Sequence, residues 1–155
     1  MARSLQTAVD STDFFVESRD ITTALLNISA TATGSNNSAD QVNTLHKGVA
    51  LFINITSIAA TATIGINVQG KDPVSGNYVT LTRISLDAQA TLAATSTSMF
   101  EVYPGLTTSV PATVGTNGAL NLALPKTWRV QASITATASQ GGANVGYSIS
   151  QSRIL

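Results

Sequence analysis

Gly70-Lys71-Asp72-Pro73-Val74-Ser75-Gly76-Asn77 carries the strongest turn signal in this chain. Pro73 sets its own φ and lacks a donor, while Gly70, Gly76 and Asn77 tolerate positive φ, so the backbone reverses here. The flanking residues alternate with a period of two. Val49, Leu51, Ile53 and Ile55 share one parity, Ile64, Ile66 and Val68 repeat the period of two, and a further strand is expected from Tyr78. A sheet with one buried face requires this alternation, so Gly48 to Ser85 reads as β-hairpin structure without helix.

Working outward, residues 1–13 form a polar amino-terminal arm, and a single domain is expected over residues 14–155. Phe14, Phe15 and Val16 make a possible short first strand. Ile21 to Thr33 reads as a strand with Leu26, Ile28, Ala30 and Ala32 on one parity, and Gly34 to Ser38 as a loop. Further strands are expected at about 49–57, 62–69, 78–86, 98–103 and 119–124. In the last pair, Trp128, Val130, Ala132, Ile134 and Ala136 alternate with polar residues, and Gln140-Gly141-Gly142 turns the chain toward Val145, Tyr147 and Ile149. Ala88 to Ser98 reads as loop or edge strand. About eight strands and no helix predict an all-β fold, an antiparallel β-sandwich of jelly-roll type. Trp128, Phe52, Phe100 and Tyr147 are expected to fill its interior.

The chain has 155 residues, an ordinary size for one domain. Only 10% of them are charged, eight basic and eight acidic residues cancel formally, and Ala, Ser and Thr make up over a third of the chain. The surface is therefore mostly neutral hydroxyls and amides. With its basic residues scattered singly, the chain has little electrostatic pull toward nucleic acid or an anionic membrane. Low charge also weakens the usual defence against association, which suits a protein held at high density beside identical neighbours. Residues 48–70 carry no charge and are long enough to span a bilayer, but Asn54, Thr56, Thr61, Thr63 and Asn67 interrupt them, so two sheet strands fit better. No apolar run of signal-peptide length precedes Asp10, and a cytoplasmic product is expected.

Candidate chemistry is sparse. The chain has no cysteine and one histidine, His46, which beside Lys47 reads as a solvated boundary residue. Asp40, Asp72, Asp87 and Glu101 are far apart in sequence, and the cluster Asp10, Asp13, Glu17, Asp20 is interleaved with Arg19, so no metal is expected. No Gly-x-Ser-x-Gly elbow and no Gly-Lys-Ser/Thr phosphate loop occurs. The triplets at Asn27, Asn36 and Asn54 that match a glycosylation acceptor need only chance in so Asn- and Thr-rich a chain. Neither enzymatic activity nor a cofactor is expected.

Three blocks stand out between residues 48 and 137. Val68-Gln69-Gly70-Lys71-Asp72-Pro73-Val74-Ser75-Gly76-Asn77-Tyr78-Val79, then Val102-Tyr103-Pro104-Gly105-Leu106, then Leu124-Pro125-Lys126-Thr127-Trp128-Arg129-Val130 resemble small virion structural proteins of tailed bacteriophages. The resemblance implies a capsid or tail component without enzymatic activity. Within it, the expected role is a head decoration protein on the capsid exterior, a homotrimer whose partners are the major capsid protein and its own copies, with no nucleic acid, membrane or small-molecule substrate. Phe14 and Phe15 are the first candidate interface residues, followed by Arg83 and Arg129 on the polar parity of their strands. A tail or head-tail connector protein is the alternative within the virion. A carbohydrate-binding adhesin module using Tyr78, Tyr103 or Trp128 is the alternative outside it.

Overall fold

A computed structural model describes residues 23–31, 33–58, 62–87, 96–106, 118–136 and 145–154. The strands are β1 (Thr23–Thr31), β2 (Gly34–Asn37), β3 (Gln41–Val42), β4 (Gly48–Ile58), β5 (Ala62–Lys71), β6 (Tyr78–Asp87), β7 (Ser96–Val102), β8 (Gly118–Leu120), β9 (Thr127–Ala136) and β10 (Val145–Ile154). Among the described residues there is no helix. The uncharged stretch expected to form sheet strands supplies β4 and β5.

The tip of the fold is the turn between β5 and β6. Asp72 organises it: its backbone N–H donates to Asn77 O at 2.8 Å and its carbonyl accepts from Gly76 N at 2.9 Å. Its carboxylate takes the Val74 N–H at 2.9 Å and the Ser75 hydroxyl at 2.5 Å, and these donors hold the Asp72 carboxyl below its ordinary range. Gly76 sits at φ 74°, a conformation that costs only glycine little.

From that tip the antiparallel pairs are nested. β5 pairs with β6, β4 with β7, β2 and β3 with β9, and β1 with β10. The ribbon is rolled so that β10 also pairs with β4 and β9 with β5. The result is two sheets, β1-β10-β4-β7-β8 and β2-β9-β5-β6, with β3 extending β2 along β9. This is the double-sheet jelly-roll order.

The core follows the alternation. Val49, Leu51, Ile53 and Ile55 face Ile64, Ile66 and Val68 across the sandwich, with Val130, Ala132, Ile134, Val145, Tyr147 and Ile149 completing the buried cluster. Trp128 is only 3% exposed and closes the end of the core near the tip. Tyr147 is fully buried, its Oη accepts from Asn36 Nδ2 at 3.1 Å, and burial pushes its phenol pKa up.

Several expectations are corrected. Gly34–Asn37 is strand β2 rather than loop, because β9 supplies its partners: Ser35 and Ser133 bring their hydroxyls to 3.2 Å, and Asn36 reaches Tyr147. β3 is an unexpected further piece of the same edge, and the strand expected at 119–124 shortens to Gly118–Leu120, paired in parallel with β7. The described residues form ten strands instead of about eight. Phe52 is 37% exposed, not core, because it alternates with buried Leu51 and Ile53. His46 is buried rather than solvated. Asn43 Oδ1 accepts the His46 N–H at 3.1 Å while Asn43 N donates to Lys126 O at 2.7 Å, so residues 43–47 fold over the end of the core. The arm, the strand expected at Phe14, and residues 88–95 lie outside the described residues.

Asp40 ties the chain entering β3 to the base of the tip. Its carboxylate pairs with Lys71 Nζ at 2.8 Å and accepts from the Tyr78 hydroxyl, and these partners hold its carboxyl below the ordinary range. A carboxyl lowered in the fold stabilises it above its unfolded pKa of about 4, and that contribution disappears as pH falls through the lower folded value. Below about pH 4, therefore, the thermal midpoint should fall faster in the native chain than in Asp40→Asn, as a calorimetric pH series would show. Trp128→Ala should cost about 3–5 kcal/mol in urea unfolding. Phe52→Ala, on the solvent parity, should cost under about 1 kcal/mol.

Candidate functional site

The outer face of the β2-β9-β5-β6 sheet is a lattice of neutral side chains hydrogen-bonded to one another. Thr63 and Thr135 pair their hydroxyls at 2.5 Å. Two rows further, Gln131 donates to Asn37 Oδ1 at 3.0 Å and accepts from Asn67 Nδ2 at 3.1 Å and Gln69 Nε2 at 3.3 Å. Gln69 also donates to Thr80 Oγ1 at 3.4 Å. Asn67 and Gln69 are consequently buried although they face outward.

Both candidate arginines lie on this face, and both are laid against it. Arg129 donates from Nε to Gln69 Oε1 at 2.8 Å and stacks its guanidinium 3.5 Å from the Tyr78 ring centroid. Arg83 crosses Gly65, where a Cβ would come within 2.8 Å of the guanidinium Nε. Register explains the first contact, since Gln69 is the cross-strand partner of Arg129. Phe14 and Phe15 lie outside the described residues.

The outer face of the other sheet is nearly uncharged. Phe52 is paired with Met99 on β7 and with Ser150 on β10, and Asn54 accepts from the Thr97 hydroxyl at 3.3 Å in the next row. Glu101 is the one charged residue on the outward parity of β4, β7 and β10. Sequence reading placed Phe52 in the core, yet its parity relative to Leu51 and Ile53 was the signal that marks it as a surface aromatic.

The third feature is the tip end of the sandwich, where the three blocks quoted above converge. Gly70 is opposite Trp128, Val102 is opposite Val49, and Tyr103 N donates to Leu120 O at 3.0 Å. A hollow there is lined by Val42, Asn43, His46, Leu124, Trp128 and Arg153, with room for about one water. Val42 and Leu45 beside it are 48% and 54% exposed. Among the described residues no three His, Cys, Asp or Glu side chains gather where they could hold a metal ion. Of the aromatics considered for sugar stacking, Trp128 is buried and Tyr78 has Arg129 over its ring.

No protein-family model matches this chain, and no curated protein matches it. Among solved structures, chains from the structure of infectious bursal disease virus Gt strain and from that of the Gx strain are similar to it at 8% sequence identity, with TM-scores of 0.45 and 0.41. Each likeness covers 86% of this chain, which spans 32% and 31% of the length of those two chains.

Proposed function

We propose that this protein is a non-enzymatic structural component of a bacteriophage virion, a head decoration protein that binds the outside of the major capsid lattice and clamps adjacent subunits as a trimer. The observation that carries this reading is the pair of outer sheet faces. One has its hydroxyls and amides already satisfied by cross-strand bonds, and the other presents Phe52 in a nearly charge-free field. Such faces lose little on meeting a protein surface, because their charge is sparse: Arg83 and Arg129 are laid against one sheet and Glu101 is the one charged residue on the outward parity of the other. An exposed aromatic on the central strand of its sheet supplies the anchor typical of an interface.

The resemblance of residues 68–79, 102–106 and 124–130 to small virion proteins supports the same reading. The jelly roll is compatible with it, since capsid proteins use this architecture, though lectins and cupins do as well. Repeated over a symmetric shell, a weak contact per copy sums to stable attachment.

The test is occupancy on purified heads assembled without this protein. The full chain should saturate them, while deletion of residues 1–13 and the variant Phe52→Asp should each reduce occupancy at equal concentration. Undiminished occupancy by both variants, or cryo-electron microscopy placing the protein on the tail, would overturn the assignment.

A further inference from the structure

The formal neutrality of the chain conceals a partition. The first 22 residues hold four carboxylates, Asp10, Asp13, Glu17 and Asp20, against Arg3 and Arg19. The remainder holds six cations against four carboxylates. Three of those cations stand together at the tip end. Lys47 N donates to Ile154 O at 2.9 Å, next to Arg153, and Lys126 O accepts from Asn43 N at 2.7 Å, so the backbones of Lys126 and Arg153 flank the 43–47 loop that carries Lys47. The ion pair among the described residues is Lys71 with Asp40, which leaves these three without a carboxylate partner there. Between them Val42 and Leu45 present apolar surface.

We propose that this basic and apolar end receives the acidic, aromatic segment Asp10 to Asp20 of a neighbouring copy, with Phe14 and Phe15 packing on Val42 and Leu45 and Asp13 and Glu17 facing Lys47, Lys126 and Arg153. The match is one of pattern as well as sign, since two aromatics bracketed by carboxylates meet two aliphatics bracketed by cations. The chain also starts from the right place. Thr23, the first residue of β1, pairs with Gln151, two residues before Arg153, so the segment leaves the sandwich beside the receiving end. The residues between Phe15 and Thr23 reach at most about 30 Å when extended, enough to cross to an adjoining copy. Donor and receiver at the same end allow each copy to pass its segment to the next around a symmetry axis, which closes the assembly. The trimer stoichiometry rests on the reading above, whereas the docking is tested on the free protein without heads.

Sedimentation velocity of the full chain at low and high salt reads the contact. The native chain should self-associate, and association should weaken about tenfold or more at high salt. Phe14→Ser with Phe15→Ser, which spoils the donor, and Lys47→Glu with Lys126→Glu, which spoils the receiver, should each be monomeric alone yet associate when mixed. Adding Asp13→Lys and Glu17→Lys to the second variant should restore association even if that variant folds poorly. A monomeric native chain, variants that associate like it, or a mixture that stays monomeric would each overturn the proposal. Loss of head occupancy with self-association intact would instead count against the capsid reading alone.

Discussion

The antiparallel ladder that begins at the Asp72 turn constrains the rest of the molecule. Once that turn sets β5 against β6, the pleat assigns Ile64, Ile66 and Val68 to one face and Asn67 and Gln69 to the other. A slip of one residue would exchange these sets and bury two unpaired amides, so the register has no near competitor. β9 can then join β5 only where Ala132 meets Ile66 and Val130 meets Val68. The second sheet inherits the same logic through β4 and β10, and the two apolar faces close on each other.

What could be read in advance follows from this hierarchy. β4, β5, β9 and β10 carry alternation strong enough to stand alone, and the turn residues have a local mechanism, so both were legible. β2 was not, because nothing in Gly34–Asn37 favours a strand until β9 provides the cross-strand serine and β10 the buried Tyr147 hydroxyl. β8 is three residues long and depends on β7. His46 looked like a boundary residue because it sits beside Lys47 just ahead of a strand, yet Asn43 bends the loop inward over Trp128. Arg83 and Arg129 were correctly placed on the polar parity of their strands. Their partners, Gly65, Gln69 and Tyr78, come from neighbouring strands whose register no local pattern contains.

The surface has a common chemical character despite its separate features. Serine, threonine, asparagine and glutamine pair with each other across strands, which satisfies polar groups with little charge on the faces. Beyond Arg83, Arg129 and Glu101 on the faces, charge gathers where the sheets end, at the Asp40 pair and around the 43–47 loop. Broad neutral faces favour close approach by another protein, and localised charge at an end gives such an approach a direction.

The placement of Thr23 opposite Gln151 also has a mechanical consequence. Strands β1 and β10 run antiparallel with the beginning of one beside the end of the other, so tension applied through these two points loads their hydrogen bonds one pair at a time. Peeling of that kind yields at low force, whereas load entering through the sheet faces would be shared by many bonds in shear. A domain wired this way withstands strain well only when it is gripped by its flanks.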